Sequence, residues 1–125
     1  MASKKIRIVH YINQFFAGIG GEEKSDHPLT VKEGPLGPGF LLQKILGDEG
    51  EVAATVFCGD GTFARNEESC AAEVLARIRG FAPDLIVAGP AFNAGRYGLV
   101  CAALCRAAGE AEIPALTAMY PENPG

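Results

Sequence analysis

The chain has 125 residues, which is the length of one domain rather than two. Its 15 Asp and Glu residues outnumber its 11 Lys and Arg residues, and the formal net charge of −4 argues against a general binder of nucleic acid or of anionic membranes. No apolar run reaches the roughly 18 residues of a membrane span, and the first residues lack the apolar stretch of a signal peptide. We therefore expect a cytoplasmic protein that binds neither nucleic acid nor membrane.

Strand-like and helix-like patterns alternate along the chain. Short apolar runs rich in β-branched residues predict strands, and apolar residues at helical spacing predict the helices between them. Asn66 is a suitable N-cap for the second helix, because Glu67 and Glu68 follow it in the first turn. The four predicted strands span residues 6–12, 52–57, 85–88 and 113–119, and the three predicted helices begin near Pro38, Asn66 and Gly95.

This alternation is typical of a parallel sheet with helices on both faces. We predict an α/β protein with a Rossmann-like or flavodoxin-like three-layer fold. Its parallel sheet has about four strands, with the first strand in a central position. Residues 1–125 are expected to form a single α/β domain.

Two segments do not fit a complete domain of this kind. Residues 13–37 show no convincing periodicity, and such a stretch is usually a functional lid, a docking segment or disordered. Residues 120–125 have turn chemistry directly after the last strand, with no further helix to cover it. These features indicate either a small natural domain or the N-terminal domain or split subunit of a longer protein.

The four cysteines contain no CxxC spacing and no secretory context, so a disulfide framework is not expected. Cys101 and Cys105 are one helical turn apart and could hold a metal ion, but the chain has only two His residues to complete such a site. We expect no metal site and interpret Cys58, Cys70, Cys101 and Cys105 as small buried side chains.

Ligands of an open parallel sheet bind beyond the carboxyl ends of its strands. The segments that leave the four predicted strands are rich in polar, glycine and aromatic residues, which is the strongest functional signal in the sequence. The candidate substrate-binding residues at this edge are Asn13, Glu22, Glu23, Asp60, Asn93, Arg96, Tyr97, Glu122 and Asn123.

The segment after the first strand begins like a dinucleotide fingerprint at Gly18–Gly20. The third glycine position holds Glu23, however, and two carboxylates are unsuited to a pyrophosphate. Glu22 and Glu23 fit a cationic ligand better, through charge-assisted hydrogen bonds. The alternative is a solvated acidic pair beside Lys24.

Other candidate residues also have two interpretations. Arg96 lies near a helix N-terminus, where a cation is disfavoured, so either an anion or partner carboxylate is close to it or its side chain is solvated. Asn93 either caps that helix or faces a ligand. Asp60 either binds a ligand or forms an Asx-turn, and His10 is expected to be a core histidine rather than a base.

No nucleophile–base pair with a recognisable spacing is present, so we expect this chain to supply only half of a catalytic site. Three stretches, VHYINQFFAGIGGEEK at 9–24, GPAFNAGRYG at 89–98 and MYPENPG at 119–125, resemble the substrate-specific B component of glycine, sarcosine and betaine reductases. The resemblance covers essentially the whole chain. The D-proline reductase selenoprotein subunit is a related protein.

The resemblance implies reductive cleavage of a C–N bond in an amino acid or betaine. In that family a pyruvoyl-containing subunit activates amine substrates as imines, and a selenocysteine attacks the α-carbon and expels the amine. The carboxymethyl group then passes to the component A selenoprotein and ends as acetyl phosphate. Family members are several times longer than this chain, and their selenocysteine lies beyond the matching region.

The implied partners are therefore the remaining part of component B, the pyruvoyl-containing subunit and component A, and no cofactor is expected on this chain. No catalytic residue is assigned, and the nucleophile is not transferred to any of the four cysteines. For a zwitterionic substrate, charge alone suggests Glu22 or Glu23 for the ammonium group and Arg96 for the carboxylate. The alternatives are a non-catalytic binding or assembly module and a nucleotide-binding flavodoxin-like domain.

Overall fold

The computed structural model describes residues 5–125 and contains a five-stranded sheet with four α-helices. The strands are β1 (Ile6–Asn13), β2 (Thr30–Glu33), β3 (Gly50–Cys58), β4 (Leu85–Phe92) and β5 (Ala115–Met119). The helices are α1 (Gly39–Leu46), α2 (Asp60–Arg65), α3 (Glu67–Arg79) and α4 (Gly95–Glu110), with short 3₁₀ turns at Glu22–Lys24 and Gly47–Glu49.

The strand order is β2-β3-β1-β4-β5, so β1 is central as predicted. The pairs β1–β3, β1–β4 and β4–β5 are parallel, which confirms the predicted α/β fold class. The sheet has one strand more than expected, because β2 pairs antiparallel with the outer side of β3. This four-residue strand lies in the segment that showed no periodicity.

Helices cover both faces of the sheet, which gives the predicted three layers. On one face Val9 and Tyr11 of β1 pack with Ile86 of β4 against α3 and α4. His10 points to the opposite face, because successive residues of a strand alternate. There α1 packs on β3, and its first residue, Gly39, lies beside the His10 ring.

The segment after β3 differs from the prediction. It forms the short helix α2, and Asn66 then separates α2 from α3. The Asn66 side chain makes no capping hydrogen bond. Its carbonyl instead accepts the first bond of α3, from the Cys70 N–H at 2.8 Å.

The helix α1 presents apolar side chains to solvent. Phe40, Leu41 and Ile45 are 58%, 61% and 73% exposed. Leu116 on β5 is also exposed. It lies opposite Val87 of β4, which lies opposite His10 of β1, and residues paired in this way point to the same face of the sheet. Leu116 therefore lies on the same face of the sheet as α1. None of the helices within residues 5–125 has the length and apolar character of a membrane span.

Candidate functional site

An open cleft of about 510 Å³ lies at the carboxyl edge of the sheet. Its walls come from the end of β1 and the segment after it, the start of α2, the end of β4 and the residue after β5. Four of the predicted site residues line this cleft: Asn13, Glu22, Asp60 and Asn93. The strand ends thus bring together side chains that are far apart in sequence, from Asn13 to Asn93.

Asp60 is the buried acidic group of this cleft, with only 6% of its surface exposed. Asn13 Nδ2 donates a hydrogen bond of 2.9 Å to Asp60 Oδ2, and the Asp60 N–H donates to Gln14 Oε1 at 3.0 Å. Asp60 Oδ1 is buried and has no hydrogen-bond partner among residues 5–125. The Asp60 side chain therefore makes its hydrogen bond to Asn13, on another element, rather than a local Asx-turn.

Burial raises the pKa of Asp60, because the charged carboxylate loses hydration. The hydrogen bond from Asn13 and the positive charge of Arg96 act in the opposite direction, and Glu22 adds to the rise. A cation placed beside Asp60 would stabilise its charged form.

Residues 14–29 explain why Asp60 is buried. Their ends join β1 and β2, which flank β3, so they cross over the carboxyl end of β3. The His27 carbonyl accepts the Gly59 N–H at 2.8 Å, and the Ser25 carbonyl accepts the Thr62 N–H at 3.0 Å. A Cβ on Gly59 would overlap the Ser25 backbone, so glycine permits this close approach.

Glu22 and Arg96 form an ion pair at the rim of the cleft. Arg96 Nη2 lies 2.7 Å from Glu22 Oε1 and 2.6 Å from Oε2. The pair links residues 14–29 to the first turn of α4. Of the two interpretations of Arg96, a nearby carboxylate therefore agrees with the structure, and that carboxylate is Glu22 of the same chain.

Glu23 does not line the cleft. Its Oε1 accepts a hydrogen bond of 3.0 Å from the Gly21 N–H. Hydrogen bonds from the backbone N–H groups of Glu23 and Gly21 lower the pKa of this carboxyl group. The Glu23 side chain therefore stabilises its own turn, which contains the 3₁₀ helix.

Aromatic rings form one wall of the cleft. Phe16 lies 5.7 Å from Phe92 between ring centroids, and Phe15 packs edge-on against Phe16 at 5.2 Å. Tyr120 contacts Phe92 edge-on at 6.1 Å. Tyr97, a predicted site residue, is fully buried behind this wall with its ring 5.8 Å from Phe16.

Phe92 has a backbone φ of 52°, which is rare for an aromatic residue and costs on the order of 1–3 kcal/mol. Two contacts hold this conformation. The Phe92 carbonyl accepts the Tyr120 N–H at 3.0 Å and Asn123 Nδ2 at 2.9 Å. Asn123 also donates to the Ala94 carbonyl at 3.0 Å. Asn123, a predicted site residue, thus stabilises the backbone of the cleft wall.

The remaining predicted site residues have different positions. Asn93 lines the cleft and makes no capping bond to α4, whose N-cap is Ala94. Glu122 is exposed and is not part of the cleft lining. His10 is buried as predicted, with Nε2 2.6 Å from the Gly89 carbonyl oxygen.

All four cysteines are free thiols, and Cys58, Cys70 and Cys101 are buried. A hydrogen bond with Cys70 and burial raise the pKa of Cys58, and burial raises that of Cys101 to about 12. Both remain protonated at neutral pH, which makes them poor nucleophiles. Within the described part of the chain, no three His, Cys, Asp or Glu residues are grouped so that they could hold a metal ion.

The match to known proteins covers almost all of the chain. The family model described as glycine/sarcosine/betaine reductase selenoprotein B matches residues 5–125. The chain belongs to this family. No solved structure matches it significantly.

Three curated relatives illustrate the range of the selenoprotein B family. The sarcosine reductase complex component B subunit beta of Peptoclostridium acidaminophilum is 54% identical over 98% of this chain and 28% of its own length. The glycine reductase complex component B subunit gamma of Symbiobacterium thermophilum is 56% identical over 96% of this chain and 28% of its own length. The betaine reductase complex component B subunit beta of P. acidaminophilum is 37% identical over 95% of this chain and 27% of its own length.

The chain therefore spans little more than a quarter of the length of these relatives. The relatives are subunits of reductase complexes. This confirms the sequence-based assignment to the glycine, sarcosine and betaine reductase component B family.

Sequence reasoning missed several residues of the cleft in this member of the selenoprotein B family. Gln14 holds the Asp60 backbone, and Phe16, Phe92 and Tyr120 form the aromatic wall. Phe92 is the last residue of β4, and the other three lie in segments that leave the carboxyl ends of strands. Their position at the edge was the available signal, but among the aromatic residues there only Tyr97 was selected.

Proposed function

We propose that this chain is the N-terminal domain or a split subunit of a component B of the glycine, sarcosine and betaine reductase type. Its role is to contribute to substrate binding and assembly for reductive C–N cleavage of an amino acid or betaine. The observation that carries this proposal is the cleft at the carboxyl edge, in a chain that belongs to the selenoprotein B family.

The substrate-binding role rests on the charges around the cleft. An amino acid or betaine is a zwitterion, and the cleft carries carboxylates at Asp60 and Glu22 with Arg96 beside them. In the proposal, acidic groups face the nitrogen of the substrate and Arg96 faces its carboxylate. Asn13 and Asn93 contribute neutral hydrogen-bonding groups, and Glu23, Tyr97 and Asn123 support the surrounding turns and wall.

The reactive groups of the reaction are proposed to lie elsewhere in the complex. The selenocysteine would be in the remaining part of component B, and the pyruvoyl group on a separate subunit. Component A would receive the product. This division agrees with the buried, protonated thiols of Cys58 and Cys101.

The assembly role rests on the apolar surface of α1, formed by the exposed side chains of Phe40, Leu41 and Ile45; Leu116 of β5 is exposed on the same face of the sheet. Exposed apolar side chains grouped on one helix are typical of protein interfaces. We assign this surface to the remaining part of component B, because the relatives are more than three times as long as this chain.

The test uses a complex reconstituted from this chain, the remaining part of component B, the pyruvoyl-containing subunit and component A. Arg96→Ala is expected to raise the KM for the amine roughly ten- to a hundredfold and to leave assembly unchanged, because a charge-assisted contact contributes about 1.5–3 kcal/mol. Arg106→Ala is the matched control, since Arg106 is exposed on the same helix and does not line the cleft.

Three outcomes would contradict the proposal. Dissociation of the Arg96→Ala complex with normal kinetics of the remainder would make Arg96 an interface residue. A complex that forms but reduces no glycine, sarcosine or betaine would favour the non-catalytic assembly module, and turnover of D-proline alone would favour the D-proline reductase type.

A further inference from the structure

We infer that Asp60, rather than Glu22 or Glu23, is the anionic anchor for the positively charged nitrogen of the ligand in this cleft. The inference rests on the proposed function and names the residue that would distinguish an amine from an uncharged molecule of the same shape. The inference is supported by a comparison of the three carboxylates, which differ in their hydrogen-bond partners and in their burial.

The two glutamates already have partners. Both carboxylate oxygens of Glu22 face Arg96, and Glu23 accepts a hydrogen bond from its own turn. Both residues are exposed, so water screens their charges. A ligand nitrogen at either position would compete with these partners and with solvent.

Asp60 has the opposite properties. It is more than nine-tenths buried, its Oδ2 is held by Asn13, and its Oδ1 has no partner in the described residues. The Gln14 side chain accepts a hydrogen bond from the Asp60 backbone N–H. The neighbouring residues Asn13 and Gln14 therefore position the carboxylate together. A buried carboxylate oxygen without a partner is unfavourable, and a cationic N–H or N–CH₃ group in the cleft would compensate for it.

The wall beside Asp60 suits the same ligand. Phe16 and Phe92 line the cleft with their ring centroids 5.7 Å apart. Aromatic faces attract ammonium groups through cation–π interactions, and this attraction increases when the cation is shielded from water. A carboxylate and aromatic rings on adjoining walls therefore select a small cation rather than a neutral or anionic group.

The orientation of the ligand follows from the positions of the charges. Asp60 lies at the base of the cleft beside β1, whereas Arg96 lies at its exposed rim on α4. An amino acid with its nitrogen at Asp60 would place its carboxylate toward Arg96. The substrate carboxylate would then take the place of Glu22 as the partner of Arg96.

An anchor of this kind has a signature that a structural carboxylate lacks. Asp60→Asn keeps the shape of the side chain and the acceptor for Asn13, and it removes a buried charge that lacks a full set of partners. The variant is therefore expected to be at least as stable as the wild type at pH 7 and to bind amines more weakly. A structural role predicts loss of stability instead.

The experiment measures calorimetric binding to the reconstituted complex for three pairs of compounds. Each pair combines a substrate that has a positively charged nitrogen with an analogue of the same shape in which carbon replaces that nitrogen. The pairs are glycine with propionate, sarcosine with butyrate, and betaine with 3,3-dimethylbutyrate. The wild type is expected to prefer the amine of at least one pair by tenfold or more. Asp60→Asn should reduce that preference by at least tenfold, and Asp60→Glu should retain part of it.

Asp48→Asn is the matched control, because Asp48 is exposed before β3 at the opposite edge of the sheet. It should leave both binding and stability unchanged. An undiminished amine preference in Asp60→Asn, or a variant that no longer folds, would overturn the inference and leave the proposed function standing. A wild-type complex that binds none of the three amines would overturn both.

Discussion

Arg96 Nη2 lies within 2.7 Å of both carboxylate oxygens of Glu22, so two charges that the sequence directs toward a ligand neutralise each other. The side chains of Arg96 and Glu22 are 41% and 76% exposed. An ion pair this exposed contributes little to stability, but it holds the guanidinium group at the rim of the cleft. The pair therefore positions Arg96 rather than stabilising the fold.

The first prediction follows from this exposure. Glu22→Gln and Arg96→Ala should each change the free energy of unfolding by less than about 1 kcal/mol, and their coupling energy should be about 0.5 kcal/mol or less. Urea unfolding of the two single variants and the double variant measures these values. The Glu73–Arg77 pair on α3, at 3.9 Å, is a suitable control pair. A coupling above about 2 kcal/mol would instead indicate a structural ion pair.

The second prediction concerns the thiols. No single Cys→Ser change at Cys58, Cys70, Cys101 or Cys105 should abolish activity of the reconstituted complex, because the nucleophile is proposed to lie elsewhere. Cys58→Ser should lower stability, since its buried sulfur lies 3.3 Å from the Tyr11 hydroxyl. Mass spectrometry of the complex after incubation with substrate provides the check. A covalent adduct that disappears only in folded Cys58→Ser would identify Cys58 as the nucleophile.

The third prediction is a pH dependence of stability. Burial lowers the pKa of His10 below its usual value of about 6.5, although the hydrogen bond to the Gly89 carbonyl opposes this shift. The folded state therefore favours neutral His10. Its contribution to stability is complete above pH 6.5 and declines as the pH falls through the folded pKa.

His10→Gln should consequently lose less stability than the wild type between pH 7.5 and pH 5, by at most about 1.4 kcal/mol per pH unit. Urea unfolding at several pH values measures this difference. His27→Gln serves as the control for the other histidine. Parallel curves for His10→Gln and the wild type would show that folding does not lower the pKa of His10.

The fourth prediction concerns association through the apolar surface. The isolated chain should associate with itself or with the remaining part of component B, because Phe40, Leu41 and Ile45 are exposed on one helix. Changing all three to Ser should reduce association at least tenfold in sedimentation experiments. Leu99→Ser on α4 is the control on the other face of the sheet. A wild-type chain that stays monomeric and binds no partner in its native extract would refute this prediction.

The central part of the fold could be predicted from the sequence because its signals are local. β1 and β3 are nearly continuous apolar runs, and α3 has apolar residues at regular helical spacing. β2 and α2 were missed because they contain only four and six residues, too few to establish a period. Their formation depends on tertiary contacts with β3 and with residues 14–29.

The candidate site was predictable to a similar degree. The topology of a parallel sheet places Asn13, Asp60 and Asn93 at one edge, and the structure brings all three to the cleft. The individual pairings could not be predicted. The contact of Asn13 with Asp60 depends on the register that pairs Asn13 with Cys58, and the contact of Glu22 with Arg96 depends on how residues 14–29 fold across β3. No sequence spacing encodes either of them.

The path of residues 14–29 also affects the thermodynamics of ligand binding. β1 and β2 fix the two ends of this segment to either side of β3, and backbone hydrogen bonds at Ser25 and His27 fix its middle. A ligand that enters the cleft therefore does not need to order a free loop, and the conformational entropy of this segment is already lost on folding. Binding should consequently proceed with a small entropic penalty and little change in backbone hydrogen exchange across residues 14–29.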